Sequence, residues 1–244
     1  MNSLLAALSF LTRLPAGRRA PFDAKQVARA AGWFPLIGIL LGAVYALAAA
    51  ILRPHLPFAL IAVLLIALDA LLTGALHFDG LADTADGFGG GQGREDVLRI
   101  MRDHSIGSYG AAALILCIAL KAIAFTILLQ REYWVPALIL TPALGRWSLL
   151  LLPRALPYAR PTRSLIQEMG KAPLFWGTGT IAVALGAAQL WRVWAAAATV
   201  LIVTLAFGFY CRRKIAGITG DTLGANLELC ECAALVAFLW TGRS

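Results

Sequence analysis

The feature that most constrains this chain is a series of apolar runs, several of which reach the roughly 20 residues that an α-helix needs to cross a hydrocarbon core. Of the 244 residues, 60% are hydrophobic and only 14% are charged, well below the roughly 25% typical of soluble domains. The sequence therefore predicts an all-α, polytopic membrane helical bundle that forms one membrane-embedded domain over residues 1–244. About seven spans are predicted, at Trp33–Leu52, Leu56–Leu76, Ser108–Leu129, Trp134–Leu152, Leu174–Trp191, Val193–Cys211 and Gly224–Trp240.

Residues 1–30 precede the first span. Leu4, Leu5, Leu8 and Leu11 have the spacing of an amphipathic helix that lies on a membrane. Basic residues follow this apolar stretch, which is the reverse of a signal peptide. We therefore predict a retained interfacial segment that contacts the lipid bilayer.

Basic residues are unevenly divided between the two sides of this topology, with fifteen on one side and four on the other. The positive-inside rule makes the richer side cytoplasmic. It predicts a membrane protein with a cytoplasmic N-terminus, a cytoplasmic active-site loop at 77–107 and an external C-terminus. The formal charge of +8 is explained by topology and phosphate binding, so no nucleic-acid partner is expected.

An acidic stripe follows the second span directly. Asp79, Asp83 and Asp86 are spaced i, i+4 and i+7, so a helix would place them along one face. Three like charges repel unless a cation neutralises them, and hard divalent cations prefer carboxylate oxygen. The spacing favours a metal site over a solvated acidic loop. Asp103, just before the third span, could complete the metal shell.

Each of the other charged residues around the stripe could bind a ligand or could have an ordinary structural role. Arg102 is predicted to bind phosphate, for which a guanidinium is well shaped, whereas Glu95 and Asp96 are predicted to form ordinary surface ion pairs. His77 is equally compatible with a role in the site and with a structural role.

A glycine-rich segment with Gly217, Gly220 and Gly224 opens the last span. Glycine lets the backbone approach a ligand, and amides at a helix start bind anions. Asp221 and Glu228 follow at i and i+7, and polar groups at membrane depth usually line a cavity.

Two basic residues lie inside spans. Arg146 needs an anionic partner, which Asp69 could be, and Lys121 either faces the same interior or extends to the interface. From the residues alone, these features predict a magnesium-dependent membrane transferase that acts on a phosphoanhydride. A cation transporter using Asp69, Glu228 and Glu231 is a weaker alternative, because most carboxylates cluster at one face, and a non-catalytic scaffold leaves the acidic stripe unexplained.

Short motifs spread over nearly the whole chain carry a resemblance to a known family. They are FLTRLP at 10–15, FPLIG at 34–38, TGALHFDGLADTADG at 73–87, RD at 102–103, IGSYG at 106–110, YAR at 158–160 and GITGDTLGA at 217–225. In these motifs the chain resembles the cobalamin synthase family.

The resemblance implies a Mg²⁺-dependent enzyme of the cell inner membrane that joins adenosylcobinamide-GDP to α-ribazole, or to its 5′-phosphate, and releases GMP. It implies metal binding by Asp79, Asp83, Asp86 and Asp103, and catalysis by Asp83, Asp86 and Asp103, with Asp86 or Asp103 accepting a proton from the ribazole 5′-hydroxyl. The implied substrate-binding residues are Arg102, Lys214, Gly220, Asp221 and Glu228, and the position of His77 and Arg146 in the chain adds these two to the predicted set. The oligomeric state is left open.

The acidic stripe also looks like the metal motif of CDP-alcohol phosphotransferases, which displace a nucleoside monophosphate in a similar way. The Ala-Arg pair that follows the second acidic pair in that family is not matched here, and neither is its later carboxylate spacing. We take this similarity as an analogy of chemistry and of helical arrangement, and a lipid-headgroup transferase is the nearest rival function.

Overall fold

The computed structural model describes residues 3–14, 24–103, 105–160, 165–171, 174–188 and 191–240. These residues form helices without any strand, apart from one isolated parallel bridge between Tyr158 and Ile218. The helices in chain order are α1 (Ser3–Leu11), α2 (Ala24–Ala31), α3 (Phe34–Leu52), α4 (Phe58–Thr73), α5 (Leu76–Gly90), α6 (Arg94–Ile100), α7 (Ser108–Leu128), α8 (Trp134–Ala155), α9 (Leu165–Met169), α10 (Leu174–Ala188), α11 (Trp191–Ile215) and α12 (Gly220–Leu239).

Five of these helices, α3, α7, α8, α11 and α12, are long and apolar enough to cross a membrane. The α4–α5 pair passes the same test jointly, which gives a sixth span if the bent pair is counted as one. Helix α10 has 15 described residues, short of the roughly 20 that a span needs. The predicted class, a multi-pass helical membrane protein, is confirmed, although the described residues contain five or six candidate spans where about seven were predicted.

The second predicted span differs most from the structure, because α4 and α5 meet at an angle of 92°. Gly74 and Ala75 both have a positive φ, of 68° and 56°, and this left-handed pair turns the chain. The Arg13 backbone N–H donates to the Leu72 carbonyl at 2.7 Å, which fixes the N-terminal segment against the bend. The segment 77–107, predicted as a loop, consists mainly of α5 and α6.

Helices α3 and α8 pack with their backbones close together. A Cβ atom on Gly38 would lie 2.5 Å from the Cα of Ala143, and one on Gly42 would lie 2.5 Å from the Cα of Ile139. Small residues at such a crossing are typical of membrane helix pairs. Helix α12 is central, because it packs against α5, α7, α8 and α11.

The N-terminal segment forms a helix, α1, as its leucine spacing predicts. Its buried residues are Ala6, Ala7 and Leu11, and the Phe10 ring stacks on Phe34 with centroids 5.6 Å apart. Helix α1 thus packs against the protein, and its position at a membrane interface stays a prediction.

Candidate functional site

A cavity of about 160 Å³ lies where the start of α12 meets the start of α5. We call it the inner cavity. Its polar lining consists of His77 and Asp79 from α5 and Gly220 and Asp221 from α12. Apolar side chains of α1, α8 and α9 complete the walls. Four of the residues predicted from the sequence therefore come together from two separate segments of the chain.

Glycines bring α5 and α12 into contact beside this cavity. A Cβ atom on Gly80 would lie 2.7 Å from the carbonyl oxygen of Asp221 and 3.2 Å from the Cα of Gly224. A Cβ atom on Gly224 would in turn lie 3.3 Å from the Cα of His77. The close approach of the two backbones is what places Asp79 beside Asp221.

Replacing Gly80 with alanine should force α5 and α12 apart, because the clashing atom is backbone and cannot rotate away. We expect a loss of about 1–3 kcal/mol in the free energy of unfolding, measured by thermal unfolding of the detergent-solubilised chain. Gly186→Ala on α10 is the matched control, since a Cβ atom there has no neighbour within 4 Å. Equal unfolding midpoints for the two variants would contradict the close approach.

The start of α12 is fixed by a capping box. The Thr219 hydroxyl accepts from the Thr222 backbone N–H at 3.2 Å, and the Thr222 hydroxyl accepts from the Thr219 backbone N–H at 2.8 Å. The positive end of the α12 dipole, with Gly220 and Asp221, therefore faces the inner cavity. A helix start of this kind suits phosphate.

Arg160 is a site residue that the sequence-based assignment left out. Two backbone hydrogen bonds join its segment to the residues before α12. The Ala159 N–H donates to the Ile218 carbonyl at 2.8 Å, and the Ile218 N–H donates to the Pro157 carbonyl at 2.9 Å. The Arg160 guanidinium donates to the Asp221 carboxylate at 3.1 Å. The signal that could have found it is the YAR motif at 158–160.

A second, open cavity of about 810 Å³ lies on the other side of Arg160. We call it the outer cleft. It is formed by residues 93–96 and Leu98 together with residues 158–160. Because Arg160 lines this cleft and also binds Asp221 of the inner cavity, its guanidinium separates the two cavities.

Asp86, predicted as a metal ligand and catalytic residue, has a different environment. One of its carboxylate oxygens accepts from the Gly107 backbone N–H and the other from the Gly110 N–H, each at 2.8 Å. These donors belong to the start of α7, where backbone N–H groups lack helical partners. Asp86 thus anchors α7 to α5 and does not line the inner cavity, and its assignment as a metal ligand and catalytic residue stays a prediction.

The predicted four-carboxylate metal shell, which could hold one ion or two, stays a prediction. Within the described part of the chain, the one group that brings ligand atoms of three such side chains within 4.8 Å is Asp69, Glu228 and Glu231. Residues spaced i and i+7 rise by about 10 Å along a helix, whereas the ligands of one Mg²⁺ lie roughly 3–4 Å apart. The stripe from Asp79 to Asp86 is therefore too long for a single ion.

A smaller donor set still fits magnesium. Mg²⁺ usually takes one or two carboxylates and completes its shell with water and substrate phosphate. Asp79 and Asp221 offer carboxylates to the inner cavity, and half-buried Asp83 lies one turn further along α5. The chemistry of these donors suits a hard divalent cation.

Arg146 and Glu228, predicted to bind substrate, lie instead in a buried ion cluster, and their exposed fractions are 0% and 1%. Arg146 pairs closely with Glu231. Its guanidinium also lies 3.7 Å from the carboxylate of Asp69, the partner that the sequence predicted. Lys121 faces the same interior and pairs with Glu228 at 2.5 Å and with Glu231 at 2.7 Å. These side chains lie in one ion cluster and do not line the inner cavity, and a role of Arg146 and Glu228 in substrate binding stays a prediction.

The remaining predicted residues are scattered around the two cavities. Lys214 donates to the Phe88 carbonyl at 2.8 Å, which anchors the end of α11 to the end of α5. Arg102 and Asp103 are exposed between α6 and α7. His77 is only 4% exposed, and its Nε2 atom has no hydrogen-bond partner within the described structure.

The fold and site together define a multi-pass membrane protein with an acidic, phosphate-suited cavity at one end of its helical bundle. A family model described as cobalamin-5-phosphate synthase matches residues 3–239. The chain belongs to this family.

Several relatives of this family carry the name adenosylcobinamide-GDP ribazoletransferase. One from Syntrophobacter fumaroxidans is 39% identical over 239 residues, covering 95% of each chain. One from Pseudomonas aeruginosa is 41% identical over 249 residues, with 97% coverage of each, and one from Clostridium botulinum is 36% identical over 248 residues, with 98% coverage of each. No solved structure matches the chain.

Proposed function

We propose that this chain transfers the adenosylcobinamide-phosphate group from adenosylcobinamide-GDP to α-ribazole, or to α-ribazole 5′-phosphate, and releases GMP. The product is adenosylcobalamin or its 5′-phosphate. The observation that carries the proposal is the meeting of Asp79, Asp221 and the start of α12 beside Arg160. The relatives that share this sequence over nearly its full length are named for the same reaction.

The diphosphate of the donor binds between the two cavities. The Arg160 guanidinium and the N-terminus of α12 are matched to its negative charge. Asp79 and Asp221 would hold Mg²⁺ there, and half-buried Asp83 lies one turn further along α5. When bound, Mg²⁺ supplies charge neutralisation at the transferred phosphoryl group and at the departing GMP.

We assign proton transfer to a carboxylate of the inner cavity, because Asp79 and Asp221 line it, whereas burial lowers the pKa of His77 to about 3. The carboxylate accepts the proton of a ribose hydroxyl of α-ribazole as that oxygen bonds to phosphorus. The bond from phosphorus to the GMP oxygen breaks, and GMP leaves with the electron pair. The attacking group cannot be the 5′-hydroxyl in the phosphorylated acceptor, since the 5′-oxygen is already esterified there.

The inner cavity also limits what enters it. At about 160 Å³, it is smaller than the roughly 300–1,000 Å³ of a typical small-molecule site. Only the phosphoryl group and part of a ribose fit inside. The corrinoid ring therefore stays outside the cavity.

We further propose that the site faces the cytoplasm across an inner membrane, with the N-terminus on the same side and the C-terminus outside. The support is the division of basic residues over the seven spans predicted from the sequence, fifteen against four, under the positive-inside rule, and this orientation requires α10 to cross the membrane in addition to the six candidate spans. A guanosine nucleotide substrate is supplied from the cytoplasm, which agrees with this orientation.

GMP release by the purified full-length chain tests the function. We expect release from adenosylcobinamide-GDP only when α-ribazole or its 5′-phosphate is present, and loss of that release when a chelator removes divalent metal, with recovery on adding Mg²⁺. Absence of GMP under all of these conditions would refute the function. Full activity in excess chelator would refute the metal requirement, and turnover of CDP-diacylglycerol in its place would favour a lipid-headgroup transferase.

A further inference from the structure

The outer cleft has no role in the phosphoryl transfer described so far. Its volume of about 810 Å³ lies within the range of small-molecule sites. It is adjacent to the diphosphate position, because Arg160 forms part of its lining and also binds Asp221. A nucleoside attached to a diphosphate held at Arg160 can extend into this cleft.

The charged side chains of the outer cleft differ in their hydrogen-bond partners. Arg94 donates to the Ala159 carbonyl at 2.8 Å, and this bond fixes one wall against the other. Asp96 accepts from the Arg99 guanidinium at 2.5 Å and from the Gln92 backbone N–H at 3.2 Å. Glu95 is exposed, and its carboxylate has no hydrogen bond or ion pair among the residues that the structure describes.

A free carboxylate in such a cleft is suited to one kind of base. Guanine presents two parallel donors, the N1–H and the 2-amino group, which match the two oxygens of a carboxylate. Adenine presents an acceptor at N1 and no 2-amino group. Tyr158, half-buried in the wall of the cleft, supplies an aromatic face on which a base can stack.

We infer that the outer cleft binds the guanine base of the GDP-activated donor, with Glu95 accepting hydrogen bonds from N1–H and from the 2-amino group. This inference rests on the proposed function and names the nucleotide specificity of the same site. The sequence alone predicted that both Glu95 and Asp96 form surface ion pairs. The structure gives that role to Asp96, which pairs with Arg99, and leaves Glu95 available to a ligand.

Nucleotide binding to the full-length, detergent-solubilised protein tests this assignment. The dissociation constants of GMP, IMP and AMP are measured for the unmodified chain, for Glu95→Gln and for Glu132→Gln. Glu132 is an exposed carboxylate between α7 and α8, outside both cavities. Because both glutamates are exposed, neither variant should change the unfolding midpoint.

We expect the unmodified chain and Glu132→Gln to bind GMP at least about tenfold more tightly than AMP, with IMP between them. Glu95→Gln should lose most of this preference by weakening GMP binding while leaving AMP unchanged. Equal affinities for GMP and AMP in the unmodified chain, or an unchanged preference in Glu95→Gln, would overturn the inference. GMP release from the donor substrate would still be observed in either of those cases if the proposed function is right, so the two failures are distinguishable.

Discussion

Replacing Asp79 with asparagine is expected to lower kcat/KM for GMP release by at least about 100-fold while the protein stays folded. Asparagine keeps the shape of the side chain but removes the negative charge from the inner cavity. Loss of one preorganised electrostatic contact in a catalytic site commonly has an effect of about 10²–10³ in rate. Asp79 is exposed, so little stability depends on it.

Steady-state GMP release over a range of Mg²⁺ concentrations checks this expectation, with thermal unfolding as the test of folding. Glu132→Gln is the control, because it removes an exposed carboxylate that lies outside both cavities. A fully folded Asp79→Asn protein that retains kcat/KM within a few-fold of the unmodified chain would remove Asp79 from the site.

The second large effect is expected in stability. Lys121→Met should lower the free energy of unfolding by about 3–5 kcal/mol. Lys121 neutralises Glu228 and Glu231 in the bundle core. Methionine fills similar space but leaves Glu228 without its cation and Glu231 with Arg146 alone, and an uncompensated buried charge is strongly unfavourable.

Lys171→Met is the matched control, because it breaks another lysine–glutamate pair, with Glu168 at 2.7 Å, whose lysine side chain is 71% exposed. Exposed pairs contribute only about 0–1 kcal/mol. Thermal unfolding in one detergent compares the two variants. The double variant Lys121→Met with Glu228→Gln should recover part of the loss, because it also removes a carboxylate. Equal unfolding midpoints for the two single variants would show that the cluster contributes little to stability.

The membrane class of the fold was predictable because hydropathy sums along the chain and needs no knowledge of tertiary contacts. The Arg146–Asp69 pair was predictable for a related reason, since a cation inside a span requires an anion at a similar depth. The grouping of Gly220 and Asp221 with Asp79 followed from their shared position next to spans.

Other features depend on how helices are rotated against their neighbours, which a single sequence does not encode locally. The i, i+4, i+7 spacing predicted that Asp86 shares a helix face with Asp79 and Asp83. It could not predict that Asp86 accepts hydrogen bonds from the first backbone N–H groups of α7, because that depends on where α7 begins in space. Gly74 is a local signal for the end of α4, but Ala75 adopts a positive φ that an alanine rarely takes, so no local signal marked the second residue of the bend. Arg160 reaches Asp221 only because residues 157–160 are hydrogen-bonded to the segment before α12.

The 92° turn at Gly74 and Ala75 has a consequence for how a lipid-embedded catalyst handles water-soluble metabolites. A straight continuation of α4 would place the aspartates of α5 about 32–42 Å along the helix axis from Phe58, beyond the roughly 30 Å of the hydrocarbon core and away from the other helices of the bundle. The turn directs α5 away from the path of α4 and keeps its carboxylates at the rim of the bundle. A chain with 60% hydrophobic residues can thus expose a polar binding surface to dissolved nucleotides. It does so by changing the direction of one helix, without adding a separate soluble domain.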